Sequence, residues 1–367
     1  MLTIHPPKRF LFGPGPTQVE PRVYEAMSQP VVGYLDPYFF EVADQVKKGL
    51  QECFGTTNEM TLAISGTGSS GMETAVSNFV PEGSKFAVIV GGFFAERLCE
   101  MGRRHGANIV RLEKAWGETA GDDEVREFIL RERPATVAYV HAETSTGALQ
   151  SGNAICEAAH EVGALVIADC VTSLGGVKIG VDDTGIDIAY SCTQKGLSCP
   201  PGLSPFTASA LAVERLKTRA RPNTVWYLDL VLLNDYYSAA HKYHHTAPIS
   251  NFYALREGLA LIAEEGVEAR WARHLENHER LVARMESLGL SMHVAQGYRI
   301  PHLNTVRVPE GVDDLAVRKR LLADEGIEIA GGFGPLAGKI FRIGLMGPLA
   351  TADNTRFFLD AFAKAVR

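Results

Sequence analysis

Residues 186–202 read Ile186-Asp187-Ile188-Ala189-Tyr190-Ser191-Cys192-Thr193-Gln194-Lys195-Gly196-Leu197-Ser198-Cys199-Pro200-Pro201-Gly202. The first six residues form a short apolar run of strand character, and the other eleven form a loop punctuated by Gly and Pro. Lys195 stands in that loop. A segment this apolar is a poor solvent-facing one, so the lysine is expected to be buried. Burial destabilises an ammonium ion and leaves a nucleophilic amine, the state a Schiff-base lysine requires.

Working upstream, Ala164–Asp169 is an apolar run that ends in a carboxylate. Ligands of open α/β sheets sit outside the carboxyl ends of the strands, which puts Asp169 where chemistry happens. Further strand-like runs recur at Met60–Ser65, Lys85–Gly91 and Thr136–His141, with amphipathic stretches between most of them. This alternation predicts a mainly parallel sheet covered by helices, an α/β fold. A helix is expected from about Asp36 to Phe54, after an extended Gly/Pro arm that holds Phe12-Gly13-Pro14-Gly15-Pro16.

Downstream, long helical segments are expected at Ile249–Glu264 and Val267–Leu288. Short strands (Asn304–Val308, Ile327–Ala330, Lys339–Ile343) then interleave with helices (Asp313–Asp324, Thr351–Val366), a compact α+β unit. We expect an arm over 1–20, a large domain over 21–265 with linking helices to about 290, and a small domain over 266–367.

Gly66-Thr67-Gly68-Ser69-Ser70-Gly71 follows one strand run and opens a helical stretch, and it matches the dinucleotide pattern G-x-G-x-x-G. A dinucleotide site also wants an acidic residue at the end of the next strand, but Phe86–Val90 runs into Gly91-Gly92. The feature that survives is a loop of Gly and Ser before a helix N-terminus, suited to a phosphate of any origin. A tight turn whose glycines only permit close packing is the plainer alternative. A phosphate loop, a strand-end Asp and a buried Lys together describe pyridoxal 5′-phosphate: the carboxylate keeps the pyridine nitrogen protonated, so that the ring can draw electrons from a substrate carbanion.

The chain has 367 residues, 46% hydrophobic and 22% charged, with a net charge of −7. That length allows more than one core, since single cores stop growing near roughly 250–300 residues. The acidic balance without a basic cluster argues against nucleic acid. Met1 to Arg9 is too short and polar for the core of a signal peptide, and no apolar run spans a bilayer, so neither membrane association nor export is expected and a cytoplasmic location is. The six cysteines (53, 99, 156, 170, 192 and 199) show no C-x-x-C pair and are expected to be reduced and structural, with no metal.

These residues resemble the class V branch of the fold-type I aminotransferases, specifically the alanine–glyoxylate and serine–pyruvate aminotransferases. The likeness covers nearly the whole chain: Phe12-Gly13-Pro14-Gly15-Pro16, Ser65-Gly66-Thr67-Gly68, His141-Ala142-Glu143-Thr144-Ser145-Thr146-Gly147, Ala168-Asp169 with Ser173-Leu174-Gly175-Gly176, Gln194-Lys195 with Pro200-Pro201-Gly202, Tyr243-His244-His245-Thr246 and Phe341-Arg342-Ile343-Gly344. It implies a large domain with a mainly parallel seven-stranded sheet and a smaller C-terminal α+β domain.

The resemblance also implies roles for residues. Lys195 holds the cofactor, Asp169 pairs with its pyridine nitrogen, and Thr67, Gly68, Ser69 and Gln194 bind its phosphate. Phe94 falls where the family often has a tryptophan stacked on the ring, Val171 packs the other face and Thr144 lies near the phenolic oxygen. Tyr243 and Thr246 reach the phosphate from a neighbouring subunit, which makes the protein a homodimer. Arg342 grips the substrate carboxylate, with Gly13, Gly15 and Tyr34 at the substrate end, Tyr34 from the other subunit.

The implied reaction is transamination between a small L-amino acid, alanine or serine, and a small 2-oxo acid, glyoxylate or pyruvate. The alternatives are another amino donor or a cysteine desulfurase-like lyase. No Cys follows Cys199 to serve as the mobile nucleophile such a lyase needs, and Phe94 and Gln194 replace its two histidines. A non-catalytic cofactor binder would have no use for a carboxylate clamp such as Arg342.

Overall fold

The structure, a computed structural model, describes residues 4–366; Met1 to Thr3 of the expected arm and Arg367 of the expected small domain lie outside them. Seven strands make the central sheet: β1 (Met60–Ser65), β2 (Lys85–Val90), β3 (Asn108–Glu113), β4 (Thr136–Val140), β5 (Leu165–Asp169), β6 (Ile188–Tyr190) and β7 (Leu203–Ala208). Their order is β1-β7-β6-β5-β4-β2-β3. Only β7 runs against the rest, between β6 and β1. The chain is therefore an α/β protein with a mostly parallel sheet.

Central strands are buried on both faces, which is why they read as continuous apolar runs. Side chains alternate between two clusters: Val166 and Ala168 of β5 join one, Leu165 and Ile167 the other. The expected runs from Met60, Lys85, Thr136, Ala164 and Ile186 all became strands, trimmed by up to two residues at an end. Two strands were not foreseen. β3 is a half-buried edge strand that starts and ends on polar residues, and β7 contains Pro205, which argues against a central strand. Opposite Pro205 the Ser191 N–H still donates to the proline carbonyl (2.8 Å), and the Ser191 carbonyl, which a proline nitrogen cannot serve, accepts from the Ser204 hydroxyl instead (2.6 Å).

The C-terminal sheet has the order β8 (Leu303–Arg307), β10 (Ile340–Gly344), β9 (Ala330–Gly331), all antiparallel, and it packs with helices Asp314–Glu325 and Ala352–Ala365 around a separate apolar cluster. The single strand expected over Ile327–Ala330 is split. Ile327–Glu328 pairs in parallel with Phe10–Leu11 of the arm, and Ala330–Gly331 pairs with β10. Phe12 of the arm is buried in this C-terminal cluster, so the arm is bound to one unit while the residues after it lie against the other. The long helices Ile249–Glu265 and Val267–Ser287 connect the two, separated by Gly266. No helix among the described residues is long and apolar enough to cross a membrane.

Candidate active site

β5 ends on Asp169 and its parallel neighbour β6 ends on Tyr190, in register with it. The Asp169 carboxylate is buried and accepts hydrogen bonds from the Val171 backbone N–H (2.9 Å) and the Tyr190 hydroxyl (2.8 Å). Burial pushes its pKa up from 3.8 to about 6, with the two donors opposing the rise. The loop leaving β6 carries Lys195 into the same pocket. It too is buried, and its Nζ donates to the Pro14 carbonyl at 2.6 Å and to Thr144 Oγ1 at 3.3 Å. Loss of solvent lowers its pKa to about 8, and nearby Arg342 acts in the same direction.

The arm fixes this lysine from outside. Thr17 donates its N–H to the Gln194 carbonyl (3.1 Å) and its hydroxyl to the Lys195 carbonyl (3.0 Å). A Cβ on Gly15 would lie 3.1 Å from Lys195 Cγ, so only glycine lets the arm pass this close, and its φ of +117° is one that side chains disfavour.

Helix α1 (Gly68–Phe79) starts in the pocket, and its N-cap, Thr67, makes no side-chain capping bond. Its first backbone N–H groups therefore have no side-chain acceptor from the cap. Gly68 allows this approach, because a Cβ there would lie 3.1 Å from Cys192 Cβ and 3.2 Å from Val171 Cγ2. Gly71 serves packing instead: its Cβ would fall 2.2 Å from Ser204 Oγ of β7. The plainer reading of the glycine loop thus holds for Gly71.

Helix α2 (Phe93–Arg104) brings Phe94 to the opposite wall. The buried Glu143 carboxylate holds the start of this helix, accepting from the N–H groups of Phe94 (3.2 Å) and Ala95 (3.3 Å). Burial raises the Glu143 pKa while those donors and Ser145 lower it. Arg97, one turn on, lies over the Phe94 ring at 4.8 Å and donates to Ser69 Oγ at 3.2 Å.

From the C-terminal unit, β10 contributes Arg342. It is 3% exposed, donates to the carbonyls of Gly331 (2.7 Å) and Thr144 (3.3 Å), and lies over the Phe333 ring at 4.0 Å. Among the described residues no carboxylate forms a salt bridge with it, and burial lowers its pKa to about 10. Asp169, Lys195, Thr144, Ser69, Phe94, Arg97, Phe333 and Arg342 line one cavity of about 390 Å³, while Glu143 and Tyr190 act on it from behind, through Phe94 and Asp169. A larger cleft, about 1140 Å³ beside Trp116 and Tyr139, contains none of the expected site residues.

The cavity unites Gly13, Gly15, Thr67, Gly68, Ser69, Phe94, Thr144, Asp169, Val171, Gln194, Lys195 and Arg342. Tyr34, Tyr243 and Thr246 are elsewhere: Tyr34 and Tyr243 face each other, ring centroids 4.9 Å apart, on an exposed surface, and Thr246 is exposed as well. Sequence reasoning missed Tyr190, Glu143 and Arg97. Arg97 had a signal, since it stands three and four residues after two phenylalanines on one helix. Tyr190 had none without the strand register.

The donor set fits pyridoxal phosphate. The N-terminus of α1, uncapped by the Thr67 side chain, the buried Asp169 carboxylate and the neutralisable Lys195 amine share one cavity. Gln194 Oε1 is buried without a partner in the same cavity. The family described as Aminotransferase class-V matches residues 9–335. The chain belongs to the class-V aminotransferases. It is a pyridoxal-phosphate-dependent aminotransferase, as that family and its solved relatives are.

The chain is 39% identical to the (S)-ureidoglycine–glyoxylate transaminase of Bacillus subtilis, covering 96% of this chain and 89% of the relative. It is 38% identical to the alanine–glyoxylate aminotransferase of Oryctolagus cuniculus, over 98% and 92%. Among solved structures, an alanine–glyoxylate aminotransferase from Nostoc sp. superimposes with a TM-score of 0.98 at 45% identity, covering 100% of this chain and 97% of that one.

Proposed function

We propose that this class-V aminotransferase moves the amino group of a small L-amino acid, alanine or serine, to a small 2-oxo acid, glyoxylate or pyruvate. The observation that carries this reading is Arg342, a buried cation with no carboxylate partner among the described residues, lining the cavity that holds Lys195. A planar guanidinium left without a counter-ion suits the α-carboxylate common to both substrates. The names of the relatives support glyoxylate as acceptor.

In this reading Lys195 holds pyridoxal phosphate through Nζ, Asp169 faces the ring nitrogen, and Tyr190 and the Val171 N–H keep that carboxylate in place. Thr67, Gly68, Ser69 and Gln194 receive the phosphate. Phe94 and Val171 flank the ring, and Thr144 sits beside Lys195 Nζ. When bound, pyridoxal phosphate supplies an electron sink for a carbanion at the substrate α-carbon. Lys195, with its pKa lowered to about 8, would take the proton from that carbon and deliver it to C4′ of the cofactor, and would move a proton from C4′ to the α-carbon in the second half-reaction.

A homodimer belongs to the same reading. Tyr24, Tyr34, Tyr38, Trp226, Tyr227 and Tyr243 are large aromatic side chains left more than one-third exposed, and three of the site residues expected from a neighbouring subunit lie outside the cavity. Tyr34, Tyr243 and Thr246 would complete the site across that interface. A cytoplasmic location fits the free, buried cysteines. The test is a panel on the purified enzyme: alanine, serine, aspartate and (S)-ureidoglycine as donors, each with glyoxylate and pyruvate. Turnover confined to aspartate or ureidoglycine would overturn the donor assignment.

A further inference from the structure

Two phenylalanines from different units meet beside the Lys195 cavity: Phe333 lines it, and Phe93 packs against Phe333 and Phe94, which line it as well. Phe93 is the first residue of α2, and Phe333 lies on the loop after β9; each is 37% exposed. Their ring centroids are 5.2 Å apart. Phe93 stands edge-on to Phe94 (5.5 Å, 87°) and beneath the Arg97 guanidinium at 5.3 Å, while Phe333 lies beneath Arg342 at 4.0 Å. The Phe333 loop has a second anchor on the large unit: a Cβ on Gly334 would come within 3.2 Å of the Trp116 ring. Cation and ring therefore adjoin without a break from Ser69, through Arg97, Phe93 and Phe333, to Arg342.

We infer that Phe93 and Phe333 form an aromatic brace that limits the side-chain length of the amino donor and fixes the plane of Arg342. The inference rests on the proposed role of Arg342 in holding the substrate carboxylate. A donor whose carboxylate sits on Arg342 and whose α-carbon is within reach of Lys195 occupies the space between those two side chains. Phe333 covers one face of the guanidinium and so flanks the carboxylate end, and its contact with Phe93 backs that wall from the large unit. A methyl or hydroxymethyl side chain leaves the brace closed. A longer one must part the two rings, an aromatic contact that shifts an equilibrium roughly twofold to tenfold. Phe333 is a positioning residue, because it acts through Arg342.

The test uses the purified holoenzyme and the variants Phe333→Ala, Phe93→Ala and Phe333→Tyr. Acetate, butyrate and hexanoate are titrated against the bound cofactor's absorbance, and kcat/KM is measured for L-alanine, L-2-aminobutyrate and L-norleucine with glyoxylate. In the unmodified enzyme, affinity should fall with chain length. Phe333→Ala should narrow that spread by about tenfold, the scale on which a methylene-sized change in a pocket discriminates, and weaken acetate itself roughly twofold to tenfold through the lost cation–π contact. Phe93→Ala should narrow the spread without weakening acetate, and Phe333→Tyr should keep both properties.

An unchanged spread in both alanine variants overturns the brace. So does a uniform loss for all carboxylates with no change in their ranking. The carboxylate ladder needs no turnover, so it separates the brace from the donor assignment. If alanine and serine are not donors but the ladder responds as expected, the donor assignment fails and the brace stands. If they are donors and the ladder is flat across the variants, the brace fails alone.

Discussion

Asp169→Asn is expected to stabilise the cofactor-free protein at pH 8 while removing the carboxylate proposed to pair with the pyridine nitrogen. The wild-type carboxyl titrates at about 6 in the folded protein against 3.8 ordinarily, chiefly because it is buried. Between those values the folded protein binds a proton that the unfolded chain has released, so stability falls as pH rises through this window and the loss is complete above about 6. At 1.36 kcal/mol for each pH unit, the difference of about 2.2 corresponds to about 3 kcal/mol at pH 8. Asparagine carries no charge, and its amide can still accept from the Val171 N–H and donate to the Tyr190 oxygen, although the Tyr190 hydroxyl hydrogen then loses its acceptor and the gain falls below the full difference. Urea denaturation of the cofactor-free proteins at one concentration should find the variant more stable by up to about 3 kcal/mol at pH 8. The gap should shrink to about 1 kcal/mol at pH 4.5. A difference that does not vary with pH, or a variant less stable at pH 8, would refute the reasoning.

Three further outcomes rest on the same geometry. Lys195 is held at a pKa of about 8 by burial, so borohydride-trapped attachment of pyridoxal phosphate should rise with pH around a midpoint near 8; a midpoint near 10.5 would mean the amine is solvated. Its folded value lies below the unfolded one, so this group makes stability rise with pH between 8 and 10.5, and Lys195→Met should remove that slope. Arg342→Lys keeps the charge and loses the planar fork, and KM for donor and acceptor should increase about tenfold to hundredfold while cofactor content is retained. Gly68→Ala pushes a methyl against Cys192 and Val171, neither able to swing away, and should lower stability by about 1–3 kcal/mol and weaken cofactor binding; adding Val171→Ala should recover part of both in thermal melts and cofactor titrations.

The parts of this molecule that could be read from the sequence are those in which one local pattern has one cause. Strands β2, β4 and β5 are apolar because both faces are covered, and Asp169 and Lys195 stand out because a charge interrupts such a run. Arg342 carried a similar signal, at the third position of the apolar strand Ile340–Gly344. β7 was hidden because Pro205 is tolerated only where the Ser204 hydroxyl meets the Ser191 carbonyl in place of the missing N–H, a fact of pairing and not of local sequence. Tyr190 was hidden for a related reason: its hydroxyl matters because parallel register sets it beside Asp169. Glu143 reads as one polar residue in a turn, and its function as the acceptor at the start of α2 exists only once Gly92 lets the helix approach, where a Cβ would strike the Glu143 side chain.

Three buried ionisable side chains, Lys195, Asp169 and Arg342, line one cavity, and a fourth, Glu143, is buried behind its Phe94 wall; for each the largest influence on the pKa is burial acting against the charged form. None of the four forms a salt bridge with another among the described residues; their hydrogen bonds go to backbone groups and hydroxyls. Stability alone would not retain such a set, since buried charges without ionic partners lower it. The partners are accordingly to be sought outside the chain: a protonated ring nitrogen for Asp169, an aldehyde carbon for Lys195 and a carboxylate for Arg342. Cofactor and carboxylate ligands should then stabilise the fold at pH 8 more than at pH 5.5, because Asp169 sheds its charge as pH falls through about 6.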